Sequence, residues 1–371
     1  MKEGIVNKSK NAVSKKKEAS TAIMYLATFP AYRQACLEIL FSEHGAIELF
    51  CSEAQLERTV RTGISPEMYT HVAMVRFFGK AYIQLGHWTA ALKTKNLILD
   101  LNPRAIHVWL FLLVRKLASN RTLLWGHLHP RKGSKASTAK IRRFQMSLSD
   151  GLILYTPEQA KEAKESLRNA RVWVASNALY SFARLSEPAI NSERNQVLYV
   201  GRFAHDKKVE NLVRAFSLSG LADQGISLNL VGSGPYLERL KDLAVELGVS
   251  GHVLFPGWVQ DFDLLKIHYS RAFTSVSPGF AGLGLTQSLG FGVPQIVSRG
   301  ELHAPEIELA DTGGVYWAES SDPSNISLAL RELWKNPIQS ANTDWIEEVK
   351  NRYSADMMAR GLHDAVVASP Q

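Results

Sequence analysis

Short apolar runs alternate with helix-length amphipathic segments along nearly the whole chain, and the alternation breaks once and then restarts. Thr21–Thr28, Ala46–Cys51, Lys95–Leu101, Arg121–Trp125, Gly151–Tyr155 and Arg171–Ala175 have the length and composition of strands. Between them Tyr32–His44, Ala105–Ser119, Thr138–Ser149 and Pro157–Asn169 carry helical spacing, the last with proline in its first turn. A β-α-β-α order of this kind demands a parallel sheet with helices on both faces. Past the polar break Ser186–Asn195 the pattern resumes. Strands are expected at Gln196–Val200, Ile226–Val231, His252–Phe255, Arg271–Val276, Gln295–Ser298 and Gly314–Trp317. Helices are expected at Val209–Leu218, Pro235–Leu247, Phe262–Ser270 and Asn325–Trp334.

The reading is α/β, with two Rossmann-like, doubly wound domains at 21–185 and 196–342 joined by a linker at 186–195. Residues 1–20 read as a disordered basic tail, and 343–371 as one or two helices packing back toward the first domain. Ligands of such sheets bind beyond the carboxyl ends of the strands, so the cleft between facing domains is the expected active site. A length of 371 residues suits two cores. Only Cys36 and Cys51 occur, which gives neither a disulfide framework nor a metal-binding spacing and fits a reducing compartment. The charged N-terminus lacks the apolar stretch of a signal peptide.

The formal charge of +8 is concentrated in Lys2–Lys17 and Arg121–Arg143 and suits an anionic substrate or membrane face; no nucleic-acid partner is expected. Val108–Val114, the longest greasy run, is too short to span a bilayer. It reads either as the buried face of a helix or, with Arg115 and Lys116, as a surface resting on a membrane. The expected location is cytoplasmic, peripheral to the inner face of the cell membrane.

Four motifs of the second half fall at strand ends. Gly201-Arg202 with Lys207 places a guanidinium fork and an ammonium between a strand and a helix, where they can hold a diphosphate or simply be solvated. Gly232-Ser233-Gly234-Pro235 begins like a dinucleotide fingerprint but has Leu237 where the third glycine would stand. Pro256-Gly257-Trp258 is a strand-to-turn junction that either frames a flat base or is a structural turn. Ser277–Pro294 packs five glycines into a loop followed by a short helix, whose unpaired N–H groups suit an anion. Beyond it Glu306 either contacts a ligand or favours a helix start.

In order and spacing these motifs resemble the nucleotide-sugar domain of the family 4 retaining glycosyltransferases, enzymes of the GT-B fold. The Ser-Pro-Gly-x-x-Gly-Leu pattern is similar to a divergent branch associated with bacterial surface polysaccharides. The resemblance implies that Arg202 and Lys207 bind the donor diphosphate and stabilise its departure. Gly201, Gly232, Gly234, Pro235, Trp258, Phe280, Ala281, Gly282, Leu283 and Glu306 would line the donor site. The family's two glutamates eight residues apart fall here on Gly279 and Gln287, so the first position offers only backbone and the second an amide. His127 matches a histidine facing the sugar, and Asn177 an asparagine that shapes the cleft. Tyr32, His129 and Arg131 are the expected acceptor-side residues. No cofactor or divalent metal is expected. The implied reaction moves a sugar from a nucleoside-diphosphate donor to a lipid-linked or oligosaccharide acceptor. A nucleotide-sugar 2-epimerase of the same fold and a non-catalytic scaffold subunit are the alternatives.

Overall fold

A computed structural model of the chain describes residues 22–45, 47–56, 60–130, 133, 136–167, 170–187 and 189–368; the basic tail and Arg131 lie outside them. The first half builds strands β1 (Ala22–Leu26), β2 (Ile47–Cys51), β3 (Thr70–His71), β4 (Ala73–Phe77) and β5 (Ala81–Leu85). They are followed by β6 (Asn96–Asp100), β7 (Arg121–Gly126), β8 (Gly151–Leu154) and β9 (Val172–Val174). Seven form a parallel sheet in the order β3-β2-β1-β6-β7-β8-β9, while β4 and β5 pair as a separate hairpin. All five residues of β1 are buried, as expected of a central strand covered on both faces.

The second half holds β10 (Gln196–Val200), β11 (Ser227–Val231), β12 (Val253–Gly257), β13 (Ala272–Ser277), β14 (Gln295–Ser298) and β15 (Val315–Ala318). They form a second parallel sheet ordered β12-β11-β10-β13-β14-β15. Helix starts follow local chemistry. Thr156 caps the Pro157–Ser166 helix by accepting from the Gln159 N–H, and Asp261 and Asp322 cap Phe262–Ser270 and Pro323–Lys335.

Each sheet reverses its strand order once, at β1/β6 and at β10/β13. Connections leave in opposite directions at such a point and open a crevice beyond the carboxyl ends.

The chain crosses between domains twice. After β9 it passes through the short helix Phe182–Leu185 and the segment before β10, where buried Arg194 donates to the carbonyls of Tyr269 and Ala272. The return is at Ser354. Helix Thr343–Tyr353 packs against the second domain through Trp345, Val349 and Tyr353, which join Leu285, Leu289 and Leu309. Helix Ala355–Val367 instead enters the first domain's core, placing Met358, Ala359 and Leu362 with Met24, Leu37 and Ile98. Gly361 lets this helix approach β9 so closely that a Cβ there would overlap the Val174 carbonyl.

Candidate active site at the two switch-point crevices

In the second domain the crevice lies between the loop after β10, Gly201–Lys208, and the loop after β13, Pro278–Gly282. The two loops touch. The Phe280 N–H donates to the Asp206 carbonyl (3.0 Å), and Lys207 Nζ donates to the Phe280 carbonyl (2.8 Å) and lies 4.8 Å from the Phe280 ring centroid. Gly279 is buried under this contact, where a Cβ would overlap the Asp206 carbonyl oxygen and crowd the Lys207 backbone. It therefore holds the two loops together.

Gly232 and Gly234 have a similar task. A Cβ on either would overlap the carbonyl of Gly201 or Phe203, so they pack the turn before Pro235 onto the Arg202 loop. His303 steadies the Gly-rich loop from behind. Its Nε2–H donates to the Ser298 carbonyl (3.0 Å), leaving Nδ1 to accept the Ala281 N–H (3.2 Å). Burial holds this imidazole below its ordinary range, which favours that neutral tautomer.

Past Gly282 the helix Leu283–Gly290 begins without a side-chain cap, which leaves first-turn N–H groups for an anion. Leu283, Gly284 and Gln287 line a cavity of about 420 Å³ together with Gly201, Trp258 and, from the first domain, Tyr32. Arg202 is exposed and Lys207 half-buried beside it. Gln287 is already engaged. It accepts from the Tyr269 hydroxyl (3.2 Å) and donates to the Tyr180 hydroxyl (2.5 Å). Burial pushes the Tyr180 hydroxyl up to about 12, so it stays a neutral donor and acceptor.

The first domain's crevice is a cavity of about 430 Å³ between the ends of β1, β6, β7 and β8. Asp100, Tyr82, Trp125, His127, Arg142 and Tyr155 line it. Aromatic faces beside one carboxylate and a guanidinium make a surface suited to sugar rings and their hydroxyls. His127 lies here, its ring tilted against that of Tyr155 (4.6 Å between ring centroids), with Nδ1 buried and unpartnered. His129 instead pairs with Glu162 (2.8 Å).

Asp100 Oδ2 accepts the Ala27 N–H at 2.5 Å, yet burial raises its carboxyl to about 6. Burial, with Arg142 and Arg33 nearby, lowers His127 to about 4. The two act on stability with opposite sign over one window. The raised Asp100 contributes stability that is full below its unfolded value near 3.8 and lost as pH rises through 6. The depressed His127 contributes stability present above its unfolded value near 6.5 and lost as pH falls toward 4. Asp100→Asn is therefore expected to gain on the parent, and His127→Gln to lose on it, as pH climbs from 4 to 6. Each difference should be on the order of 2 kcal/mol, read from denaturant midpoints across that range; parallel pH profiles would refute the assignment.

Between the crevices runs a buried link that the sequence did not disclose. Arg33, in the turn after β1, is enclosed by Phe29, Tyr32, Trp125 and Tyr155, its guanidinium carbon 4.7 Å from the Trp125 ring centroid. It donates to the Tyr155 hydroxyl (3.1 Å) and to Asn177 Oδ1 (2.5 Å). Asn177 passes its amide to Glu306 Oε1 in the second domain (3.4 Å). Glu306 is 2% exposed, its other oxygen is unpartnered, and burial raises its pKa. The Asn177–Glu306 bond thus links the two domains. The signal for Asp100 was its place at a strand's carboxyl end; Arg33 sits in an amphipathic segment that pattern reading gives to solvent.

The architecture is that of the GT-B fold. Across 93% of this chain and 99% of the other, it matches the crystal structure of Anabaena HepE in complex with UDP, with a TM-score of 0.65 at 10% identity. Residues 184–352 match the family model of glycosyl transferases group 1. One similar curated protein is the GDP-mannose-dependent alpha-(1-6)-phosphatidylinositol monomannoside mannosyltransferase of Mycobacterium tuberculosis. It is 33% identical over 152 residues, 38% of each chain. Another is the lipopolysaccharide core biosynthesis glycosyltransferase LpsD of Rhizobium meliloti, 25% identical over 212 residues, 55% of this chain and 59% of that one. The chain thus spans less than two thirds of the length of these curated relatives.

Proposed function

We propose that this protein transfers a sugar, with retention of anomeric configuration and without a divalent metal, from a nucleoside-diphosphate donor to a lipid-linked or oligosaccharide acceptor of surface polysaccharide or glycolipid synthesis. One observation carries the reading. Gly201, which opens the loop carrying Arg202 and Lys207, and the uncapped start of helix Leu283–Gly290 line one cavity that Tyr32 closes from the opposite domain. In that reading Trp258 borders the base, Gly201 and the helix amides take the diphosphate, and Arg202 and Lys207 neutralise the leaving group where a metal would otherwise act. The Asp100–His127 crevice receives the acceptor.

Among the described residues lining the cleft cavity there is no Asp or Glu. This suits front-side displacement, the retaining route that the family resemblance implies, better than a 2-epimerase, which would need an acid/base pair in the same cavity.

Calorimetric titration with UDP, GDP and ADP and with their sugars tests the proposal, one nucleotide being expected to bind. Lys207→Ala and Arg202→Ala should each weaken that affinity by about 10- to 100-fold, the range for hydrogen bonds to charged groups. Transfer should survive chelation of divalent ions. Failure to bind every nucleotide would leave only a scaffold role, and sugar interconversion without transfer would indicate the epimerase.

A further inference from the structure

Between His71 and Ser149 the chain carries fourteen Lys and Arg and a single acidic residue, Asp100. Asp100 is half-buried and lines the first domain's crevice, so no acidic residue is among the exposed residues of this segment that the structure describes. The same segment exposes large apolar side chains on three neighbouring elements. Helix Ile106–Leu117 buries Val108, Phe111 and Leu112 but leaves Ile106, Leu110, Leu113 and Leu117 in solvent at successive helical turns, Leu117 at 90% exposure. Helix Ala139–Ser147 exposes Ile141 and Phe144, and the Phe144 ring stacks on Trp109 of the first helix. The hairpin β4–β5 carries Phe78 at its tip, 98% exposed and in left-handed backbone (φ 48°). Arg104 fixes that tip beside the helix start by donating to the Gly79 and Lys80 carbonyls. Lys80, Arg104, Lys116, Lys140 and Arg143 are exposed on the same elements.

We propose that this face docks on an anionic lipid bilayer. Apolar side chains reach into the headgroup–acyl boundary while long cationic ones stay at headgroup level, the pattern of an interfacial helix. Charge selects the occupant. A second copy would set one basic face against another, and the Lys-rich segment 2–17 has the same sign. A nucleic acid would satisfy the cations but leave Leu113, Leu117, Ile141 and Phe144 in water. An anionic bilayer satisfies both.

The face borders the crevice, because Arg104 and Thr138, at the starts of the two helices, also line that cavity. Docking therefore presents the Asp100–His127 crevice to the membrane and makes the acceptor lipid-anchored, not a free oligosaccharide. That last step rests on the transferase reading; the docking does not.

The test is sedimentation of the full chain with vesicles of phosphatidylcholine alone or with phosphatidylglycerol. Binding is expected only with phosphatidylglycerol and should weaken with salt. Lys140→Gln with Arg143→Gln should lower it by about fivefold per cation removed. Leu113→Ser with Leu117→Ser should lower it by about tenfold. All four positions are exposed, so melting temperature and nucleotide affinity should stay at parental values in both pairs. Equal binding to both lipids, or binding that neither pair alters, would overturn the proposal. So would a dimer in solution that Leu113→Ser with Leu117→Ser dissociates. A chain that docks yet binds no nucleotide would keep the docking face and remove the transferase, so the two readings fail separately.

Discussion

Gly279→Ala is expected to cost about a hundredfold in kcat/KM for the donor, together with a lowered melting temperature of the second domain. One methyl group would collide with the Asp206 carbonyl and push apart the loops that meet at the second switch point. The Phe280–Asp206 and Lys207–Phe280 hydrogen bonds would lengthen together, moving the ammonium and the start of helix Leu283–Gly290 relative to each other. A displacement near 1 Å between groups that must act on the same diphosphate costs about 10²-fold. Glutamate, the family's residue at this position, should do no better, because its Cβ meets the same obstruction. Steady-state kinetics with the donor identified by calorimetry decides the matter. Parental activity in Gly279→Ala would show that loop contact is dispensable.

Gly361→Val should have the largest effect on stability. The glycine lies where helix Ala355–Val367 crosses β9, and a Cβ would overlap the Val174 carbonyl and come within 3.1 Å of Ala175 Cα. Neither neighbour is a flexible side-chain end, so the helix itself must lift from the sheet. Overpacking of this kind costs about 1–3 kcal/mol, and the upper part of that range applies where the obstruction is backbone. Calorimetric melting should show the first domain destabilised by several degrees while the second keeps its transition. An unchanged melt would mean that the helix docks less tightly than its backbone approach indicates.

The central strands were readable from sequence because they are buried on both faces and so appear as unbroken apolar runs. Gln196–Val200, Phe262–Ser270 and Gln295–Ser298 match the expected bounds residue for residue. The hairpin β4–β5 was missed for the opposite reason. Its first strand has an exposed face, and its Ala-Met-Val-Arg-Phe sequence carries no clean period. At the site, motifs that depend on local spacing could be read: Gly201-Arg202, Lys207, and the helix start at Leu283. The Arg33–Asn177–Glu306 link could not, since its members lie 144 and 129 positions apart and each is an ordinary polar residue until the fold unites them. The packing role of Gly279 between two loops was likewise not legible in the sequence. A glycine placed for backbone-to-backbone packing and one placed for a ligand look identical in sequence.

The return of the chain at Ser354 bears on synthesis. Translation proceeds from the N-terminus, and domains generally fold as their residues emerge. The first domain cannot close in that order, since Met358, Ala359, Leu362 and Val366 belong to its core and follow the whole second domain in the sequence. Arg121 likewise waits for the carbonyls of Val366 and Ala368. The second domain, complete by Tyr353, is the first able to finish. During synthesis the N-terminal sheet thus stands with an uncovered apolar flank until helix Ala355–Val367 has emerged.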